Sequence, residues 1–183
     1  DFWRTIAELG LLDDELQRRF EALQSHLVPL WESISSLEDR REQTIVVVPS
    51  ITVEFDLLGS EAQAYEERFL FLLLLLRQPS ARLIYVTSQA IDPAIIDYYL
   101  GLLPGLISSH ARQRLHLVTP HDASGTPLTL KLLQRPGLIE RIRRLIPAPE
   151  HAHLVPFNTT VHERDLALRI AEQDDRQERE AQK

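Results

Sequence analysis

Four short apolar runs constrain this chain more than anything else in it. TIVVVPS (44–50), RLIYVTS (82–88), RLHLVTP (114–120) and HLVPFNT (153–159) are rich in β-branched and aliphatic residues, and each stops on Pro, Ser, Thr or Asn. A continuous apolar run of this length, lacking the alternation of a half-exposed strand, is what a strand covered on both faces requires. The stretches between the runs hold crossover helices whose starts are legible. Ser60 with Gln63 and Thr160 with Glu163 have capping-box spacing, Asp92 precedes Pro93, and Thr126 precedes Pro127. From Pro93 onward, Ile95, Ile96, Tyr99, Leu100 and Leu103 form one apolar face before Pro104-Gly105 stops the helix, and LIERIRRLI (138–146) carries another. Strands joined by crossovers this long pair in parallel and carry helices on both faces of their sheet. The expected fold over 44–170 is a Rossmann-like three-layer α/β domain with a mostly parallel sheet of about four strands.

The flanks read differently. In residues 1–43, Leu16, Phe20, Leu23 and Leu27 recur at helical spacing behind Asp13 or Asp14; after Pro29 the stripe continues through Leu30, Ile34 and Leu37 to a charged link. This is a helical arm. AEQDDRQEREAQK (171–183) has mixed charge and no apolar stripe, as a solvated helical tail would. FLFLLLLL (69–76) poses the one packing problem. On an α-helix Tyr65, Phe69, Leu72 and Leu76 face the sheet while Phe71, Leu74 and Leu75 point elsewhere, so a second cover is expected, the arm being favoured over a partner surface.

Composition excludes several classes. At 183 residues with 44% hydrophobic and 26% charged residues, the chain can bury one sizeable core. A net charge of -7 and a pI near 5.5 argue against a nucleic-acid partner, whose phosphates need clustered Lys and Arg. The absence of cysteine removes disulfides and thiolate metal sites and permits a reducing compartment. An apolar run of eight residues falls short of the roughly 20 a spanning helix needs. DFWRTIAELG has no basic region followed by an apolar one, so neither a membrane nor a secretory signal is expected and the location expected is cytoplasmic. The lack of any methionine suggests a trimmed chain.

In an open parallel sheet, ligands sit outside the carboxyl ends of the strands where strand order reverses. The polar tips Pro49-Ser50, Thr87-Ser88-Gln89, Thr119-Pro120-His121-Asp122 and Phe157-Asn158-Thr159 would all lie at that end and ring one crevice. The competing explanation is that such residues simply cap helices and make turns. Asp92 and Thr160 are assigned to capping, whereas Ser88 and Gln89 stand where nothing local needs them and are the favoured ligand-facing pair. Catalytic motifs are missing. The six glycines are scattered singly, with no phosphate-cradling loop. His151 and His153 have no third metal ligand nearby and read as surface histidines. Ser50, His121 and Asp122 make only a weak hydrolase triad, with no G-x-S-x-G around the serine.

Taken in order, VVVPSITVE, YEERFLFLLLLLRQPSARLIYVTSQAIDPAIIDYYLGLLPG, ARQRLHLVTPHDASGTPLTLKLL and HLVPFNTTVHERDLALRI resemble the N-terminal (pre-ATP-grasp) domain of ATP-grasp carboxylate-amine ligases, in particular peptide ligases of the pheganomycin type. The resemblance spans about residues 44–170 and is most specific in YVTSQ-IDPAIIDYYL. It implies an enzyme that uses ATP and Mg²⁺ to activate a carboxylate as an acyl phosphate for attack by an amine. It further implies that the front domain walls the substrate site without catalysing, while the ATP-grasp lobes of the same polypeptide hold nucleotide and metal. Pro49, Ser50, Thr87, Ser88, Gln89 and Asn158 would then face an amino-acid or peptide substrate; no catalytic residue, metal ligand or cofactor is expected in this chain alone. The chain departs from the family pattern after Arg169-Ile170, where a further strand and the ATP-binding lobes would follow, so a front-domain fragment is the expectation. The alternative is a non-catalytic Rossmann-like module that self-associates, as a homodimer for example, or docks a partner through its apolar helices; a small hydrolase is a distant third.

Overall fold

The computed structural model describes Arg18, residues 42–52 and residues 59–171. The helical arm, the charged tail and the covering of FLFLLLLL by the arm therefore lie outside the described residues, except for Arg18, Glu42, Gln43, which begins the first strand, and Ala171, which ends the last helix.

Four strands, β1 Gln43–Val48, β2 Ala81–Val86, β3 Leu115–Val118 and β4 Ala152–Pro156, form one sheet. All neighbours are parallel and the order is β3-β2-β1-β4. The helices are α1 Gly59–Glu67, α2 Pro93–Gly101, α3 Ser108–Arg114, α4 Leu128–Leu133, α5 Pro136–Arg144 and α6 Val161–Ala171. A 3-10 helix, Arg68–Arg77, follows α1 directly. The sheet has a core on each face. Ile45, Val47, Leu83 and Tyr85 pack with the 3-10 helix, α2 and α3, whereas Val46, Val48, Ile84, Val86 and Val118 pack with α4, α5 and α6. Successive residues of one strand thus serve opposite cores, which is why the runs are continuously apolar. The expected Rossmann-like architecture is the observed one.

The leucine-rich run departs from its α-helical reading. Over Arg68–Arg77 the backbone closes at three residues per turn, so Leu70, Leu73 and Leu76 are buried instead of Phe69 and Leu72. Phe69, Leu72 and Leu75 are half-buried beside the same core, and Tyr65, Phe71 and Leu74 are exposed. Arg114 ties off the end of this segment: its guanidinium donates to Leu76 O at 2.7 Å, Gln78 O at 2.7 Å and Ala81 O at 2.6 Å. Orphan carbonyls at a helix C-terminus are thereby satisfied.

Of the expected helix starts, Asp92 accepts from Ala94 N at 2.8 Å and caps α2. The Thr160–Glu163 box is formed, with Glu163 Oε2 accepting from Thr160 N at 2.8 Å. At α4, Pro127 rather than Thr126 occupies the cap position and offers no side-chain acceptor; Ser50 Oγ, arriving from β1, accepts from Thr129 N at 2.9 Å instead. Gln63 does not serve a local box, since its Oε1 accepts from Gln89 N at 3.1 Å and its Nε2 donates to Glu67 at 2.7 Å. His153, expected at the surface, is a buried member of β4 paired in register with Ile45.

Candidate functional site at the strand ends

From β1 the chain moves to β2 and on to β3, then returns to lay β4 on the other side of β1, so strand order reverses between β1 and β4. Open parallel sheets form their ligand crevice at the carboxyl ends of the two strands flanking such a reversal. Four polar side chains from the loops after β1 and β4 and from α6 are hydrogen-bonded to one another there, Thr52, Asn158, Thr160 and Glu163, while Ser50, two residues before Thr52, turns to Thr129. Thr52 N donates to Asn158 Oδ1 at 3.2 Å, and Asn158 Nδ2 returns a bond to Thr52 Oγ1. Glu163 Oε2 accepts from Thr52 Oγ1 at 3.1 Å and from Thr160 Oγ1 at 2.5 Å besides the cap bond. The Glu163 side chain is only 2% exposed and that of Ser50 only 1%. A carboxylate at the third position of α6 is also favoured by the positive end of the helix.

A second cluster lies one strand away, at the ends of β2 and β3. Ser88 is buried and donates twice to one carboxylate, N to Glu66 Oε2 at 2.6 Å and Oγ to Glu66 Oε1 at 2.7 Å. Its Oγ in turn accepts from Lys131 Nζ at 2.9 Å, and Lys131 spends its other donors on Asp122 O and Ser124 O, each at 2.8 Å. Ser88 O accepts from Asp122 N at 2.9 Å and Thr119 Oγ1 at 3.1 Å. Gln89, with its amide oxygen turned to the same loop, accepts from Asp122 N and Ala123 N. Asp122 pairs with Arg135 at 2.6 Å.

The electrostatics follow from burial and these partners. Burial pushes the Glu66 carboxyl above its ordinary range, against the bonds from Ser88 and the charge of Lys131. Burial also lowers the Lys131 ammonium, opposed by Asp122 and Glu66. Asp122 goes the other way, down to about 2, through hydrogen bonds from Ser124 and Arg135. A serine hydroxyl between a lysine and a glutamate suggests a nucleophile. Here, however, the Ser88 proton is directed at Glu66 and the hydroxyl is buried, while Lys131 uses its protons on two carbonyls and Ser88 and so cannot act as the base. The cluster is a latch that fixes α1, the β2 and β3 loops and α4 to one another.

The residues expected from the sequence therefore divide. Ser50 and Asn158 stand at the reversal with Pro49 buried beside them, whereas Thr87, Ser88 and Gln89 belong to the latch, Thr87 Oγ1 donating to Gln89 O at 2.7 Å. The groups that engage Ser88 and Gln89 are distant in sequence, Glu66, Lys131, Gln63 and Asp122 among them. Ser50, His121 and Asp122 do not assemble as a triad, since Ser50 serves Thr129, Asp122 serves Arg135 and Ser124, and His121 N donates to Thr119. Thr52, Glu66 and Lys131 are not singled out by the sequence reading, and Glu163 enters it only as the partner of Thr160 in a capping box. Lys131 had a signal, a lone charge on the same face as Leu128 and Leu132 in LTLKLL; Glu163 was hidden because its capping role sufficed to explain it.

Among the described residues no group of three or more His, Asp or Glu could hold a metal ion, and no helix is long and apolar enough to cross a membrane. No family model matches the chain, and no solved structure matches it. The sequence is 34% identical, over a 108-residue alignment, to the L-propargylglycine–L-glutamate ligase of Streptantibioticus cattleyicolor. The match covers 56% of this chain, which spans 22% of the length of that relative. The strand-end crevice thus belongs to a chain similar over more than half its length to a ligase.

Proposed function

We propose that this chain is the front domain of an ATP-dependent carboxylate-amine ligase, in which it walls the substrate site without catalysing. The observation that carries the reading is the 34% identity to a ligase joining two amino acids. The reversal of strand order at β1 and β4, with buried polar side chains gathered there, supports a small polar substrate at that end. Pro49, Ser50 and Asn158 belong to the wall; Thr87, Ser88 and Gln89 shape it from behind, through the latch. The donor set of the described residues does not suit Mg-ATP. It offers no convergent metal ligands among the described residues, and the latch carboxylate Glu66 is committed to Ser88. Nucleotide and metal belong to other lobes of the complete enzyme.

The test is product analysis on the polypeptide encoded by the full reading frame that contains this sequence. ATP consumption that requires both a carboxylate and an amine, and yields ADP and phosphate in step with amide, is expected. Formation of AMP and pyrophosphate, or no ATP use, would refute the reading. A second reading, an interaction module, is favoured by exposed Phe71, Leu74 and Phe157, the last in edge-to-face contact with Phe69 at 5.5 Å.

A further inference from the structure

The 3-10 helix Arg68–Arg77 is ten residues long, whereas such helices seldom run beyond roughly three or four, because their hydrogen bonds are poorer than those of an α-helix. Its sequence does not ask for that form. Every position from Phe69 to Leu76 is Phe or Leu, so an α-helical turn would bring equally apolar residues to the sheet, and Phe69, Leu72 and Leu75 already rest half-buried against the same core. The reason lies at the two ends. Before the helix, Glu66 is tied to β2 twice: its carboxylate accepts from Ser88 N and Oγ just past the strand, and its carbonyl oxygen accepts from the buried Tyr85 hydroxyl at 2.6 Å. At the far end the Arg114 guanidinium holds Leu76 O and Gln78 O beside the carbonyl of Ala81, the first residue of β2.

Between these ties the helix packs along β2. From Ala81 to Ser88 the strand and its first loop residues advance seven positions, about 23 Å at the rise of a parallel strand. From Glu66 to Leu76 the chain advances ten, which gives about 20 Å in 3-10 form and about 15 Å as an α-helix. The 3-10 form thus falls about 3 Å short of the strand, a gap that one side chain closes, and the α form about 8 Å short. We propose that residues 68–77 are a strap held stretched in 3-10 form by the Glu66 ties and the Arg114 clamp, and that undoing either lets it shorten by about 5 Å into an α-helix. Shortening toward the clamp draws Glu66 away from Ser88 and opens the latch. It also turns Phe71, one of the exposed rings, about the helix axis. The latch and the aromatic face are coupled through this one element, and the device stands whether or not the ligase reading does.

The experiment measures the length of the strap. The 183-residue chain has no cysteine, so Ala64→Cys with Arg77→Cys places two spin labels, one on the exposed side of α1 and one at the end of the strap, for a distance measurement by double electron–electron resonance. In that background Glu66→Ala with Tyr85→Phe releases one end, and Arg114→Ala releases the other. Each release is expected to bring the labels about 5 Å closer. In NMR spectra of the same variants without labels, the backbone proton contacts between residues i and i+2 that mark a 3-10 helix should give way over 68–77 to the i to i+4 contacts of an α-helix. A separation unchanged in the folded variants would overturn the proposal, since side-chain contacts along the strap would then select its form without the ends. Shortening on release of one end but not the other would overturn it too, because a strap held at two points yields at either. Should one release variant fail to fold, the other decides by the same reading.

Discussion

Lys131 lies at the centre of the latch, and its removal leaves specific debts. Lys131→Met would strand Glu66 without its cation and leave Asp122 O and Ser124 O without a donor. Losing one partner of a buried charged network costs about 3 kcal/mol or more, to be read as a fall in the urea midpoint. Adding Glu66→Gln should cost less than the sum of the two single changes, because the stranded charge is then gone. Strict additivity would mean that Lys131 and Glu66 are not coupled through Ser88. The same cluster predicts opposite pH slopes. Asp122 titrates at about 2 instead of its ordinary 3.8, so its stabilisation is complete above that ordinary value and is lost as pH falls through about 2. Glu66 is raised above 4.5, so between 4.5 and its folded value the native state holds a proton that the unfolded chain has released, and stability from this group falls as pH rises through that interval. Urea midpoints across this range should show a flatter acid limb in Asp122→Asn and a flatter decline above 4.5 in Glu66→Gln; slopes unchanged from wild type would refute the assignment.

At the scale of elements, the strands were legible because burial of a strand between two layers favours short β-branched and aliphatic runs, bounded here by Ser, Thr, Asn or Pro. The α2 face was legible for a related reason, its apolar positions being spaced among polar ones. The leucine run was not, since a stretch in which every position is apolar carries no period, and the choice between three and 3.6 residues per turn is made by packing on the sheet. The observed turn makes a sharp forecast. Leu73→Ala, at 1% exposure, should cost about 2–5 kcal/mol in chemical unfolding, whereas Leu74→Ala, at 43% exposure, should cost well under that. A reversed ranking would contradict the observed burial of this segment. The latch escaped sequence reading for another reason: its hydrogen bonds join residues 22 and 43 positions apart, and pairing at such distance leaves no local trace.

For the whole molecule, the question is what the exposed aromatic face meets. Phe71 and Phe157 are 54% and 48% exposed, and Phe69 touches both rings, at 6.0 Å and 5.5 Å between centroids. The patch joins the 3-10 helix to the loop after β4, so it borders the carboxyl end of the sheet. If the chain spans only a fifth or so of a ligase, as it does of its relative, further lobes would cover such a face in the complete enzyme. In isolation the face remains in water, and contiguous aromatic surface of this kind drives association. Sedimentation velocity should therefore show the 183-residue chain associating as concentration rises, and the double change Phe71→Ser with Phe157→Ser should shift it toward monomer without lowering its melting temperature appreciably. Both rings stand largely outside the core, so the substitution removes intermolecular contact and little else. A wild-type chain that stays monomeric at high concentration would show that the patch is too small to hold a second copy, and the self-associating module would then be untenable.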